Sequence, residues 1–248
     1  MGIEFVLQQP CAPRRHMPEA RLRTLVNHRG IAESATTKFR EQFPHADDET
    51  LASKCTVEIA FEGPDGASKP MQVTVGRLLD MLEPLQGLDD DCRGCPANVS
   101  GRGLGCIGKV QTPITAEAER WLLARLPDDA KDAGLLRLIR YVSERGLDGA
   151  EVDARRGRSR MFELKAPAVR KWGGWLGPKL QLNSSQLLQM LAFGGPISAE
   201  RARLFARLLD LSGGVPEALG PVSAASLKTL LRAVNLAGRL GAELVVEG

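Results

Sequence analysis

The spacing of hydrophobic and polar positions changes several times along the chain, and each change predicts a different element. Three short runs that alternate or are rich in β-forming residues predict strands in the N-terminal part, at 3–8, 55–61 and 71–75. A Pro-Asp-Gly turn signal lies between the second and third runs, so these two runs are predicted to form a hairpin. We expect the hairpin and the first strand to make one small antiparallel sheet.

Apolar residues at helical spacing predict the helices. In the N-terminal part these helices cover 19–28, 32–42 and a segment from 74 or 76 to 85. In the C-terminal part they cover 116–126, 129–145, a segment capped by Ser198 and a long segment capped by Ser223. Two short strands at 151–153 and 160–165 are predicted to form a hairpin around a turn at 155–158, and a last strand is predicted at 243–246.

Together these elements predict an α+β fold, with a small antiparallel sheet and helices in the N-terminal part and a mostly helical C-terminal part that contains a β-hairpin. Of the 35 leucines, 25 follow residue 114, which favours helices there. We predict a division into residues 1–114 and 115–248, or one continuous domain.

Composition excludes several classes of protein. With 248 residues, 43% hydrophobic and 25% charged, the chain is neither disordered nor collagen-like. The net charge of +3 by itself implies no partner, but residues 115–248 carry 20 basic and 15 acidic side chains and so hold the excess of cations. The longest uncharged stretch, 180–199, is too polar to span a bilayer, so no membrane association is expected. No secretory signal is recognised, and five cysteines, an odd number, favour reduced thiols or metal ligands in the cytoplasm.

A long glycine-rich segment carries the clearest candidate chemistry. Cys92 and Cys95 are two residues apart and Cys106 follows, in a stretch that holds six glycines between 87 and 108. Such spacing lets thiolates converge on one ion, and we predict a zinc ion or an iron-sulfur cluster that orders the loop. Cys55 is the first choice for the fourth ligand. Other choices are Cys11, His45, His16 and His28, and the alternatives to a metal site are ordinary buried thiols or a redox-active pair.

A second candidate region is strongly basic. Residues 155–171 hold seven Lys or Arg and a single acid, Glu163. Cations that neutralise phosphates, next to indoles that stack on bases, are typical of nucleic-acid binding. The residues predicted to contact an anionic partner are Arg155, Arg156, Arg158, Arg160, Arg170, Lys171, Trp172 and Trp175. The alternative is a solvated hairpin with the tryptophans in the core.

Asp153, Glu163 and Lys165 form a D-x9-E-x-K pattern on the predicted hairpin. Two carboxylates that hold a divalent ion, beside a lysine, are the parts of a metal-dependent nuclease. The pattern resembles that of PD-(D/E)xK nucleases, and Gln186 is placed like the glutamine of some members. The chain lacks their proline before the aspartate, and Met190 stands where they have a tyrosine.

Three functions follow as hypotheses. The first is a cytoplasmic metal-binding module, regulatory in character, that acts on an anionic partner such as nucleic acid or an acidic protein. The second is a metal-dependent nuclease that uses Asp153, Glu163 and Lys165. The third is a protein–protein adaptor with a structural metal site.

Overall fold

A computed structural model describes residues 2–62, 68–173, 180–211 and 221–247. The chain divides into two compact units. The first consists of Met1–Gln9, Cys95–Gly101 and Gly105–Gly248, and the second of Pro10–Gly94 and Arg102–Leu104. The predicted boundary at residue 114 stays a prediction. None of the described helices is long and apolar enough to cross a membrane.

The fold is α+β, which confirms the predicted class. The strands are β1 Ile3–Gln8, β2 Thr56–Glu62, β3 Ser68–Thr74, β4 Ile107–Val110, β5 Val169–Trp172, β6 Leu180–Asn183 and β7 Glu243–Glu247. The helices are α1 Ala12–His16, α2 Glu19–Gln42, α3 Asp48–Lys54, α4 Val75–Asp80, α5 Leu88–Asp91, α6 Ala116–Ala124, α7 Ala133–Glu144, α8 Ala150–Arg158, α9 Ser184–Leu188, α10 Ala199–Leu208 and α11 Ala225–Leu240.

The first unit is built on a three-stranded antiparallel sheet in the order β4-β1-β7. Phe5 of β1 is opposite Gly108 of β4, and its ring occupies the space that a Cβ at Gly108 would need. The predicted sheet of β1 with the β2–β3 hairpin is therefore wrong. Local patterns show that a segment is extended but not which distant strand will pair with it, because that depends on which faces are buried together.

The predicted hairpin at 151–153 and 160–165 is also wrong, since α8 contains the whole of the predicted first strand and the whole of the predicted turn at 155–158. Val152 and Arg156 lie four residues apart on one face of this helix, and both are buried. The pattern was misread because an arginine on the inward face looks like an exposed turn residue. The C-terminal part does contain a β-hairpin, formed by β5 and β6 further along the chain.

The helix starts of the first unit agree only in part with the predicted capping residues. Ser198 caps α10 as predicted, by accepting a hydrogen bond from Arg201 N. Ser223 does not cap α11, because it lies inside a 3-10 turn, Val222–Ala224, that precedes the helix. The Ser223 hydroxyl donates to Glu117 instead. A π-helical turn, Gln189–Phe193, follows α9 and was not predicted.

The second unit combines the β2–β3 hairpin with α2, α3 and α4. The predicted hairpin pairing is confirmed, with Val57 opposite Val73. The two helices predicted over 19–28 and 32–42 form one continuous helix, α2, because Leu22, Leu25 and Ala32 extend a single buried face through Gly30. A lone glycine weakens a helix by about 1 kcal/mol, which is too little to interrupt so long a buried face.

Candidate functional site

The basic segment begins on α8, and the residue just before this helix fixes its position. Gly149 precedes the helix with a φ of +86°, and its amide donates to Oε1 of Gln189 at 2.7 Å. A Cβ at this position would lie 2.9 Å from Cβ of Ser185. Only a glycine accommodates both the left-handed backbone and this close approach. Helix α8 is therefore held tightly against α9.

Arg156 of α8 is fully buried and paired with Glu119 of α6, which is also fully buried. The pair is bidentate, with Nη1 to Oε1 at 2.7 Å and Nη2 to Oε2 at 2.6 Å. The guanidinium also lies 4.5 Å from the centre of the Phe162 ring. A buried ion pair of this kind is stable only when its remaining hydrogen-bonding groups are also satisfied.

Two consecutive hydroxyls complete the polar network around this pair. Ser184 donates to the Glu119 carboxylate and accepts from Ala168 N at 3.0 Å. Ser185 accepts from Nε of Arg156 at 2.9 Å and donates to Oδ1 of Asp153 at 2.6 Å. Asp153 is 42% exposed, so the network reaches the surface at this carboxylate.

Other cations predicted to contact a partner are held within the fold. Arg155 pairs with Glu151 at 3.1 Å and lies over the Phe193 ring. Arg170 donates to the carbonyls of Leu123 and Leu126, at 2.8 and 2.7 Å, at the end of α6.

Trp172 is also held within the fold. It is buried, and its indole Nε1 donates to the Pro127 carbonyl at 2.7 Å. Trp175, the other tryptophan predicted to contact a partner, lies outside the described residues.

Four cations of the segment are exposed to solvent. Arg158 ends α8, Arg160 and Lys165 lie in the irregular segment that follows, and Lys171 is on the outward face of β5. Within residues 2–62, 68–173, 180–211 and 221–247, no hydrogen bond or ion pair involves these four side chains. Arg158, Arg160 and Lys171 are members of the set predicted to contact a partner, whereas Lys165 was predicted as part of the nuclease pattern.

The single acid among these cations forms no ion pair with them among the described residues. Oε2 of Glu163 accepts a hydrogen bond from Ala116 N at 2.6 Å. This amide belongs to the first residue of α6, where the helix dipole favours a negative charge. Glu163 therefore stabilises the helix start, and its role in the nuclease pattern stays a prediction.

The three residues of the nuclease pattern have different surroundings. Asp153 lies on α8 and accepts from Ser185, while Glu163 caps α6 and Lys165 is exposed. Gln186 is occupied in a capping box with Asn183 at the start of α9. The hairpin that would have carried the pattern is absent from the described 151–165 region, which forms α8 and an irregular segment.

The cysteines are distributed over both units. Cys55 is buried after α3, and its Sγ lies 3.9 Å from the Ala35 carbonyl. Cys92 is buried in the second unit, and its Sγ accepts a hydrogen bond from Leu104 N at 3.1 Å. The φ of Leu104 is +55°, in the left-handed region. In the first unit Cys95 is half-buried and Cys106 is buried. Among the described residues, no three His, Cys, Asp or Glu side chains form a group that could hold a metal ion.

Residues 95–105 are ordered by local contacts. Asn98 N donates to the Cys95 carbonyl at 3.0 Å, and Gly101 N donates to Oδ1 of Asn98 at 2.8 Å. Val99 N donates to the Gly105 carbonyl at 3.1 Å. Three hydrogen bonds therefore hold this part of the glycine-rich loop in one conformation, whereas the sequence predicts that a bound metal orders it.

Sequence reasoning missed Glu119, Ser184 and Ser185. Glu119 adjoins Ala118 on the inward side of α6, and a carboxylate there is a signal for a buried cationic partner. The two serines follow the capping residue Asn183, so their hydroxyls resemble ordinary helix-start residues in the sequence.

Comparison with known proteins identifies no relative: no family model matches the chain, and neither a curated protein nor a solved structure matches it.

Proposed function

We propose that this chain is a binding module for nucleic acid, and that it contacts phosphates through Arg158, Arg160, Lys165 and Lys171. The observation that carries the proposal is that these four cations are exposed and that, among the described residues, none of them forms an ion pair, while Glu163, the one acid of the segment, is hydrogen-bonded to the start of α6. Between residues 154 and 199 the chain holds eight Lys or Arg and no acid other than Glu163. Such a segment attracts a polyanion.

The proposed contacts are to the phosphate backbone. Trp172 is buried and its indole N–H is satisfied by Pro127, so it supports the hairpin and does not stack on a base. Arg156 and Arg170 are likewise left out of the contact set, because their guanidinium groups are bonded within the fold. Phosphate contacts are largely independent of base sequence, so we propose binding with little sequence preference.

Fluorescence anisotropy with a labelled duplex DNA of mixed sequence, over a series of salt concentrations, tests this proposal. Four phosphate contacts give a slope of about −3.6 in a plot of log K against log salt for duplex DNA. In the variant R158Q/R160Q the slope falls to about −1.8, because two contacts are lost. The matched control R137Q/R140Q removes two exposed arginines from α7 of the same unit and leaves the slope unchanged.

Absence of salt-dependent binding to duplex or single-stranded DNA and RNA would overturn the proposal. Equal losses in the two double variants would show that the overall charge, and not this segment, attracts the DNA. Salt-dependent binding to polyglutamate without binding to nucleic acid would identify an acidic protein as the partner.

We also propose that Cys92, Cys95 and Cys106, with Cys55 as fourth ligand, hold a zinc ion or an iron-sulfur cluster. The supporting contact is the Leu104 amide, which points at Sγ of Cys92 as amides point at thiolate ligands. Metal analysis and the absorbance of protein isolated without oxygen test this, with C92S/C95S compared with the control C11S. Substoichiometric metal in the unmodified protein refutes the site.

We place this module in the cytoplasm. The support is that none of the five cysteines, all of which lie among the described residues, forms a disulfide, as is usual in a reducing compartment. Fractionation of cells that produce the full chain tests the location.

A further inference from the structure

The buried Arg156 is connected directly to the segment that carries the exposed cations. Its Nη1 donates to the Leu164 carbonyl at 3.1 Å. Leu164 immediately precedes Lys165 and follows Arg160 by four residues. One guanidinium therefore links α6, through Glu119, to the irregular segment between α8 and β5.

All five N–H groups of Arg156 have an acceptor. Nε donates to Ser185; Nη1 donates to Glu119 and to the Leu164 carbonyl; Nη2 donates to the other oxygen of Glu119 and to Ser184. A guanidinium has five such donors in a rigid plane, whereas a lysine ammonium has three at a single point. The site is therefore specific for arginine, even though the charge alone could be supplied by lysine.

The other side of the segment is fixed to the start of α6. Ile114 N donates to the Met161 carbonyl at 2.8 Å, and Glu163 N donates to the Ile114 carbonyl at 3.0 Å. The Glu163 carboxylate adds its bond to Ala116 N. Residues 161–164 are thus held between these backbone contacts and Arg156, with Arg160 and Lys165 directly on either side.

We infer that Arg156 is a positioning residue, which holds the segment of Arg160 and Lys165 in one conformation and does not itself touch the polyanion. The binding half of this inference rests on the proposed function. Because fixed cations lose less conformational freedom on binding than mobile ones, ordering this segment strengthens phosphate contacts.

The test compares R156K with R137K, a substitution that also conserves charge, at an exposed arginine on α7 of the same unit that is not among the proposed contacts. Hydrogen exchange of the amides of residues 159–168 reports the order of the segment without any partner. We expect faster exchange in R156K, because lysine cannot satisfy five acceptors, and unchanged exchange in R137K, because Arg137 is exposed on another helix. Far-ultraviolet circular dichroism establishes that each variant is folded.

The second readout is the salt dependence of binding to duplex DNA. In R156K the slope falls from about −3.6 towards −1.8, as Arg160 and Lys165 lose their fixed positions, although the net charge is unchanged. R137K keeps the slope of the unmodified protein. A purely structural role for Arg156 would alter the exchange rates without moving the slope.

Two outcomes overturn the inference: a folded R156K with unchanged exchange in 159–168, or one with altered exchange and an unchanged slope. If R156K does not fold, S185A replaces it, since it removes one acceptor of the guanidinium and leaves Glu119 in place. If the unmodified protein binds no nucleic acid, the proposed function fails, while the exchange comparison still decides whether Arg156 orders the segment.

Discussion

Arg156 and Arg158 are the same residue type two positions apart, yet one is fully buried and the other is exposed. The difference arises from the helical repeat, which places Arg156 on the face of Val152 and turns Arg158 outward. Burial of Arg156 is possible because Glu119 neutralises it and three further oxygens accept its remaining N–H groups. At this scale, the role of a charged residue depends on its partner and not on its type.

The first prediction concerns Glu119. The substitution E119Q leaves the half-exposed Asp153, 3.4 Å from Nε, as the remaining acidic partner of the buried Arg156. Removing one partner of a buried pair costs about 3–5 kcal/mol of the free energy of unfolding. The control E151Q breaks the exposed pair with Arg155 and should cost less than about 1 kcal/mol. Urea unfolding measures both, and equal small losses would show that the buried pair contributes little.

At the scale of elements, the β5–β6 hairpin depends on an anchor at the end of α6. Arg170 and Trp172 alternate with the exposed Val169 and Lys171, so one face of β5 points inward. Arg170 donates to the carbonyl of Leu123 in the last turn of α6 and to that of Leu126, which follows the helix, and its guanidinium lies 5.0 Å from the Trp172 ring. A strand of four residues is thereby fixed to a helix by charge-assisted hydrogen bonds.

The second prediction tests this anchor. R170A removes the charge-assisted hydrogen bonds to the Leu123 and Leu126 carbonyls and should lower the free energy of unfolding by about 2 kcal/mol. K171Q, on the outward face of the same strand, should change it by less than about 0.5 kcal/mol. Chemical denaturation compares the two variants, and a loss in K171Q as large as in R170A would contradict the role assigned to the anchor.

At the scale of the whole molecule, strands from distant parts of the chain share a sheet. Residues of β1 pair with β4 and with β7, so the first unit unites segments that are far apart in sequence. The second unit lies between them in the chain and has its own buried clusters, one of which contains Ala32, Ile59, Val73 and Leu78. Each unit therefore has a core of its own, which permits stability to be examined unit by unit.

The third prediction is a pH dependence in the second unit. Burial of His28 in α2, with a smaller contribution from the positive charge of Arg21, lowers the pKa of this histidine below its ordinary value. The unfolded chain then binds a proton more readily than the folded one, so the stability contributed by neutral His28 is complete above about pH 6.5 and declines as the pH falls. Nδ1 of His28 has no hydrogen-bond partner among the described residues, which agrees with a neutral ring.

Hydrogen exchange of residues 10–94 at about pH 7.5 and about pH 5 measures this effect. We expect protection to fall at the lower pH in the unmodified protein and in the control H45Q, since His45 is exposed. In H28Q the fall should be smaller, because the titrating group is gone. An undiminished pH response in H28Q would assign the effect to other groups.

Much of the local structure was predictable, but the candidate site was not. Turn residues predict the β2–β3 hairpin, a capping residue predicts the start of α10 at Ser198, and apolar spacing predicts that the C-terminal part is mainly helical. Each of these signals acts over a few residues. The sequence predicts a hairpin where α8 lies, because an arginine at position 156 is expected to be exposed in a turn, whereas Arg156 is buried on the inward face of the helix. Glu119 is 37 residues from Arg156, and no local rule connects them.

The amino-acid sequence by itself determined that this protein is α+β, that its C-terminal part is mainly helical and that its cations concentrate between 155 and 171. Only the tertiary structure decided which of those cations are exposed, where the hairpin lies and which strands share a sheet. The physical reason is the range of the forces involved. Backbone preference and side-chain periodicity are local, whereas burial of a charge and pairing of strands depend on residues that meet only after the chain has folded.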